Sequence, residues 1–385
     1  MNISSKYDVV IIGGGPAGCS TALMLNKLSK LKVLVLESGH YAKQRAGESI
    51  PPDTRLLFKQ LNIWQEFLSD DHDPCLGSSS VWGHSELGYN DYIFNPMGHG
   101  WHLNRKKFDR FFSQQLQNRN IDHLQDTKVY KSQIIDDRHV LSIKAKNGFT
   151  FQLESSFVVD AGGFNSSFAK KQGARKKTDD ELVCITSFYQ QINRNDIKQL
   201  TLLEATEYGW WYAAQLPNNT LAIALACDKS FSKFFQINKH INWFKLLKNS
   251  SINIYKAMNK SQYIQDSIRV NSISSYVLDQ IVGKSWLATG DAACAFDPIS
   301  AGGIYKALTH GISAAKTICD YFNGNNFALR SYSNMIQSDF QHYLENKRYL
   351  YQKEKRWKKS PFWIHRQAYK KSDGIAQVQT ADLTL

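Results

Sequence analysis

The chain has 385 residues, 42% of them hydrophobic, and a formal net charge of +13. That length accommodates two domains or one elaborated domain, and the composition is that of a globular protein. No apolar run approaches the roughly 18 residues of a membrane span, and six scattered cysteines (Cys19, Cys75, Cys184, Cys227, Cys294 and Cys319) contain no CxxC pair, so reduced thiols, a cytoplasmic location and no metal site are expected.

The chain enters its first strand almost at once, at Tyr7-Asp-Val-Val-Ile-Ile, so no signal peptide is expected. Three glycines follow at the spacing Gly13-x-Gly15-x-x-Gly18, with Pro16 and Ala17 between them, and then a helical run from Cys19. Strand, tight turn and helix N-terminus make a dinucleotide-binding unit. One glycine turns the chain, one lets the backbone approach a pyrophosphate, and one lets helix and strand pack. A second apolar run, Lys32 to Leu36, ends in Glu37 and Ser38. Glu37 stands 19 residues beyond Gly18, close to the roughly 20 expected of an acid that binds a ribose hydroxyl.

Gly39 to Pro52 reads as a loop, in which Arg45 has the forked head that suits phosphate oxygens and Glu48 precedes Pro51-Pro52. Asp53 to Phe67 has helical spacing, and Asp70 to Gly100 reads as irregular. His84, His99 and His102 lie close together here, with His99 a candidate for acid–base work. Asn104 caps a helix beginning at Arg105. Strand-like alternation runs from Lys128 to Asp160, which ends in a carboxylate and a glycine turn, and again from Glu181 to Asp228, with Pro217-Asn-Asn as a hairpin turn. Within the second region Trp210 and Tyr212 share one strand face and Trp211 takes the other. Phe231 to Ser261 reads as helical, with Trp243, Phe244 and Leu246 on its apolar side.

A buried strand, Trp286 to Thr289, then ends in Gly290-Asp291. A loop at Asp297-Pro298 leads to Gly302-Gly303, which opens an amphipathic helix. A carboxylate at the strand end suits a sugar-like hydroxyl, and a second glycine-rich helix N-terminus suits a second partial negative charge. A dinucleotide whose far end is a ring that becomes anionic meets both demands, which fits FAD. Tyr332, Met335, Ile336, Phe340, Tyr343, Leu344 and Tyr351 form a helical stripe read as a packing face. From Gln341 onward ten Lys/Arg face four Asp/Glu, so this tail carries nearly half of the excess charge and is either a solvated face or a docking surface.

In this order the motifs resemble those of the FAD-dependent monooxygenase and halogenase superfamily: GGGPAG at Gly13–Gly18, then Arg105-x-x-Phe108-Asp109, then Gly290-Asp291 with Pro298 and Gly302-Gly303. Gly47-Glu-Ser-Ile-Pro51 and Gly209-Trp-Trp-Tyr-Ala-Ala-Gln-Leu-Pro217 are most similar to the LodB-like and GoxB-like flavoproteins. That resemblance implies an α/β fold: a GxGxxG Rossmann-like FAD-binding domain with an inserted antiparallel-sheet substrate domain and a C-terminal helical segment. The expected boundaries are 1–75, 101–180 and 265–325 for the FAD-binding domain, 76–100 and 181–264 for the substrate domain, and 326–385 for a basic helical segment. It further implies oxygen insertion, from dioxygen, into a tryptophan of a quinoprotein oxidase precursor during cysteine tryptophylquinone biogenesis. The reductant is NAD(P)H or a separate flavin reductase, with neither nucleic acid nor stable membrane insertion involved. Arg45 or Arg105 is expected on the pyrophosphate, Asp291 on the ribityl chain, Gly302 and Gly303 at the flavin edge, and Glu48 and His99 in proton transfer. Tryptophan halogenases use a WxWxIP segment and a lysine between the two dinucleotide motifs. Here the strand reads GWWYAAQLP and no lysine occurs between Lys59 and Lys106. The alternatives are a small-molecule aromatic hydroxylase or halogenase-like enzyme, and a non-catalytic flavin-binding maturation chaperone.

Overall fold

The computed structural model describes residues 4–41, 47–192 and 199–367. It divides into two compact units, Met1–Pro74 with Gly100–Leu182 and Ser272–Leu344, and Cys75–His99 with Val183–Asn271 and Glu345–Leu385.

The first unit is built on a mixed eight-stranded sheet whose five central strands are parallel. Strand Lys6–Ile12 pairs in parallel with Thr150–Asp160 on one side and Val33–Leu36 on the other. Trp286–Ala288 and Asp122–Leu124 extend the sheet outward, again in parallel. Val9, Val10 and Ile11 are fully buried, as a strand covered on both faces requires. Helix Pro16–Leu28 packs along helix Gly303–Phe322, and both glycine-rich turns lie at the carboxyl ends of strands of this one sheet. The aromatic stripe of helix Ala328–Lys353 is a packing face: Tyr332, Ile336, Phe340 and Tyr343 are buried, and Phe296 stacks on Tyr343 at 4.1 Å.

The second unit is organised by a mostly antiparallel sheet in the order Ser261–Tyr263, Leu182–Gln191, Thr220–Asp228, Gly209–Leu216, Leu200–Thr206, Gly77–Val81, Gly88–Asp91. The expected hairpin turn is present, with Asn218 and Asn219 both at positive φ (63° and 54°), the conformation that matches strand twist. Gly77–Val81, expected to be irregular, is a strand, parallel to Leu200–Thr206. Its sequence, GSSSV, has too little hydrophobicity to show an alternation; it is paired on one edge by Leu200–Thr206, more than a hundred residues away, and on the other by Gly88–Asp91 in a hairpin. The helical stretch 231–261 is three helices, Lys229–Phe234, His240–Ser250 and Ile252–Ala257. The last break falls at Ser251, whose side chain accepts from the Ile254 amide as an N-cap. Likewise 53–67 is two helices, Thr54–Gln60 and Trp64–Leu68, divided where Asn62 takes φ 56°.

Neither indole of the Trp210–Trp211 pair is left for a ligand. Trp211 is fully buried, edge-on to Trp243, and donates to Ser250 Oγ at 3.0 Å, while Trp210 donates to the Tyr351 hydroxyl at 2.9 Å. Of the basic piece after Lys353, described as far as Gln367, Lys355, Lys358 and Lys359 are exposed, whereas the two arginines are tied into the unit. Arg356 pairs with the buried Glu354 at 2.7 Å, Arg366 with Asp228 at 2.7 Å, and Trp363 is fully buried.

Candidate functional site

The first glycine turn is held by its neighbours on every side but one. Gly13 takes φ 118°, and a Cβ there would lie 2.2 Å from the Ala161 carbonyl oxygen, so no larger residue fits. A Cβ on Gly18 would lie 1.9 Å from the Gly13 carbonyl, which is the close helix–strand packing that the spacing requires. Gly15 has open space where its Cβ would be, next to the start of helix Pro16–Leu28, whose first turn contains no acidic residue. A phosphate therefore meets uncapped N–H groups, a positive dipole end and no competing carboxylate.

Glu37 is buried and bridges this turn to the next. Its Oε2 accepts from the Gly14 amide and its Oε1 from the Gly39 amide, both at 2.8 Å, with the Ser38 hydroxyl 3.4 Å from Oε1. Oε2, with one donor, retains a second lone pair for a ribose hydroxyl. The Tyr41 hydroxyl donates to the Gly14 carbonyl at 2.9 Å and meets the buried His123 ring at 3.2 Å, and that ring meets Ser113 at 3.2 Å. Burial pushes the His123 imidazole down to about 4, so it stays neutral. Sequence reasoning missed this support, because Tyr41, Ser113 and His123 are far apart along the chain and share no motif.

The second glycine turn lies against the first. Gly290, at φ 60°, is so close to helix Pro16–Leu28 that a Cβ there would be 2.6 Å from the Ala17 Cβ. The Asp291 side chain is half exposed and its Oδ1 accepts from Lys306 Nζ at 2.8 Å. The Asp291 carbonyl accepts from the Tyr276 hydroxyl. Pro298 opens the short turn Pro298–Ser300, pinned where Asp297 Oδ1 accepts from the Ile299 amide at 2.9 Å. Gly302 then precedes helix Gly303–Phe322, and Gly303, like Gly15, has open space at its Cβ position. Two open amide ends with a half-exposed carboxylate beside one of them fit a dinucleotide with a second anionic ring edge, which is the shape of demand FAD makes. Asp160, at the end of its strand, serves the fold: its oxygens accept from the amides of Gly162, Phe168 and Ala169 at 2.8–2.9 Å.

Of the two candidate phosphate-binding arginines, Arg45 lies outside the described residues. Arg105 is buried with Nη1 on the Gly47 carbonyl at 3.0 Å and Nη2 on Asp109 at 3.1 Å, so its guanidinium braces the turn before Glu48. Glu48 is 3% exposed; its Oε2 accepts from the Gly47 amide at 3.0 Å, while its Oε1 is buried with no partner among the described residues. Burial pushes this carboxyl up to about 7, against the opposing pull of Arg105. Ser49, next to Glu48, pairs with His102 across a short antiparallel ladder, so the histidine that the backbone brings beside Glu48 is the buried His102. His99 belongs to the other unit, in the turn before that ladder.

All six cysteines are free thiols, and among the described residues no group of three His, Cys, Asp or Glu side chains is placed to hold a metal. Residues 8–76 and 84–381 match the family described as tryptophan halogenase. The chain belongs to that family. It is accordingly a FAD-dependent enzyme of the oxidoreductase and halogenase type.

This family member is 27% identical over 365 residues to LodB of Marinomonas mediterranea, a protein named as a FAD-dependent oxidoreductase, covering 94% of this chain and 98% of LodB. It is also 27% identical, over 87% of this chain and 84% of the relative, to the 1H-pyrrole-2-carbonyl-[peptidyl-carrier protein] brominase of Pseudoalteromonas luteoviolacea. Among solved structures, the myxobacterial chondrochloren halogenase CndH superposes with a TM-score of 0.88 at 18% identity, covering 96% of this chain and 87% of CndH. The peptidyl tryptophan dihydroxylase QhpG superposes with a TM-score of 0.75 at 19% identity, covering 97% and 81%. Among the described residues no helix is long and apolar enough to cross a membrane.

Proposed function

We propose that the protein is a FAD-dependent monooxygenase that hydroxylates a tryptophan side chain of a partner quinoprotein precursor during cysteine tryptophylquinone biogenesis. The observation that carries this reading is the similarity to LodB, which spans 94% of this chain and 98% of LodB. The fold is shared with a peptidyl tryptophan dihydroxylase, so the architecture is compatible with an indole presented on a polypeptide.

Bound FAD, once reduced by NAD(P)H or by a separate reductase, supplies the activation of dioxygen. The chain supplies binding, orientation and proton handling. Gly13, Gly15, Pro16, Ala17 and Gly18 hold the pyrophosphate, with Arg45 or Arg105 near it. Glu37 and Ser38 hold the adenosine ribose. Gly290 and Asp291 hold the ribityl chain, and Pro298, Gly302 and Gly303 shape the amide cradle at the ring edge. Oxygen insertion at an indole carbon ends with loss of that carbon's proton. The near-neutral Glu48 carboxyl accepts it at Oε1, and His99 serves as a second proton-transfer group. The 76–100 and 181–264 segments form the substrate domain.

Halogenation is the second reading, favoured by the family itself and by the brominase among its relatives. Against it stands the absence of any lysine between Lys59 and Lys106, where the tryptophan halogenases carry theirs. The decisive experiment incubates the unmodified precursor with enzyme, FAD, a reducing system, bromide and labelled dioxygen. Labelled oxygen on the tryptophan is the expected result. Bromine on the indole installs the second reading, and an unchanged tryptophan overturns the first.

A further inference from the structure

Helix Gly303–Phe322 buries a lysine one turn before His310, a second buried polar side chain, which meets Asp339 at 3.2 Å. Lys306 is 5% exposed. Its ammonium donates to Asp291 Oδ1 at 2.8 Å and to the Cys294 carbonyl, and it stands 4.3 Å from the centroid of the Phe296 ring. A methionine of similar length would fill this space without the cost of desolvating a charge, so the position is explained by the charge rather than by packing.

That charge acts on Asp291 from one side while the Tyr276 hydroxyl holds the Asp291 carbonyl from the other. The half-exposed carboxylate is thereby fixed through Oδ1, with Oδ2 left to a ligand. The Lys306 amide donates to the Gly302 carbonyl at 2.9 Å, so the ammonium belongs to the first turn of the helix that begins at the open Gly303. A cation there adds to the positive dipole end instead of opposing it.

We propose that Lys306 is a positioning residue for the cofactor. Its buried ammonium orients Asp291 toward the ribityl hydroxyls and, with the helix N-terminus, favours the reduced, anionic form of the isoalloxazine over the oxidised form. This rests on the FAD reading of Asp291 given above. The test compares wild type, Lys306→Met and Lys306→Arg by FAD titration (quenching of flavin fluorescence) and by the midpoint potential of the bound flavin. Lys306→Met is expected to weaken oxidised FAD about tenfold. It is also expected to lower the preference for reduced flavin a further tenfold, about 30 mV for a two-electron couple. Lys306→Arg restores most of both. Should the methionine variant not fold, Lys306→Gln, neutral but still a donor, carries the same two measurements with the same expected directions. An unchanged potential in the neutral variants overturns the proposal, even where affinity falls, since a merely structural lysine would produce that pattern. Failure of the wild type to bind FAD would overturn the underlying reading instead.

Discussion

Glu48 is the residue whose chemistry depends most on its surroundings. In water its carboxyl is ionised above about pH 4.5; in the fold, burial holds the proton to about 7. Between these values the folded protein binds more protons than the unfolded chain, so stability falls as pH rises through that window. The contribution lost is on the order of 3 kcal/mol, and Glu48→Gln, which cannot ionise, removes it. Chemical denaturation at pH 5 and pH 7.5 checks this: the wild type loses more stability between the two than the variant does. Glu48 could be singled out in the sequence as an acid near a loop, but the unpartnered Oε1 could not. That property is one of burial in the folded unit, where the flanking residues Gly47 and Ser49 are held by Arg105 and His102, more than fifty residues on.

At the level of elements, the strands and helices that announce themselves by pattern are those whose side chains do the packing. Lys6–Ile12 and Val33–Leu36 read directly as buried strands. Gly77–Val81 does not, because its serines owe their place to backbone pairing with Leu200–Thr206 and Gly88–Asp91. The divided helices of 229–257 follow the same logic. Buried Glu204, on a neighbouring strand, accepts from the Ser251 hydroxyl at 2.6 Å and from the amides of Ile252, Asn253 and Ile254 at 3.0–3.3 Å. It thereby adds to the Ser251 cap at a helix start whose other free amides have no local acceptor. Glu204→Ala removes the acceptor for all four donors and is expected to cost about 3 kcal/mol, read as a lowered denaturation midpoint with Glu204→Gln intermediate.

For the whole molecule, the +13 charge suggests an outward-facing basic tail; of its described part Lys355, Lys358 and Lys359 are exposed, while Glu354, Phe362, Trp363 and Arg366 are buried in the unit. Glu354 accepts from the Gly83 amide at 2.8 Å, and Trp363 donates to the Thr206 carbonyl at 2.9 Å from a fully buried position. Ending the chain at Lys353 would therefore take Trp363 off Trp82 and leave the Gly83 amide and the Thr206 and Glu207 carbonyls without these partners. The truncated protein is expected to aggregate, or to melt about 10 °C or more below the full chain by calorimetry; an unchanged melting temperature would contradict the packing described.

The paired glycine motifs, their order and the kind of ligand they suit are legible in the residues alone, because turn geometry and helix N-termini are encoded in a few adjacent positions. That the two turns meet at Ala17 and Gly290, that Lys306 holds Asp291, and that Tyr41 and His123 brace Gly14 emerges with the folded chain. These are contacts between residues remote in the chain, and nothing in local periodicity or propensity specifies which distant side chain will satisfy a buried charge or amide.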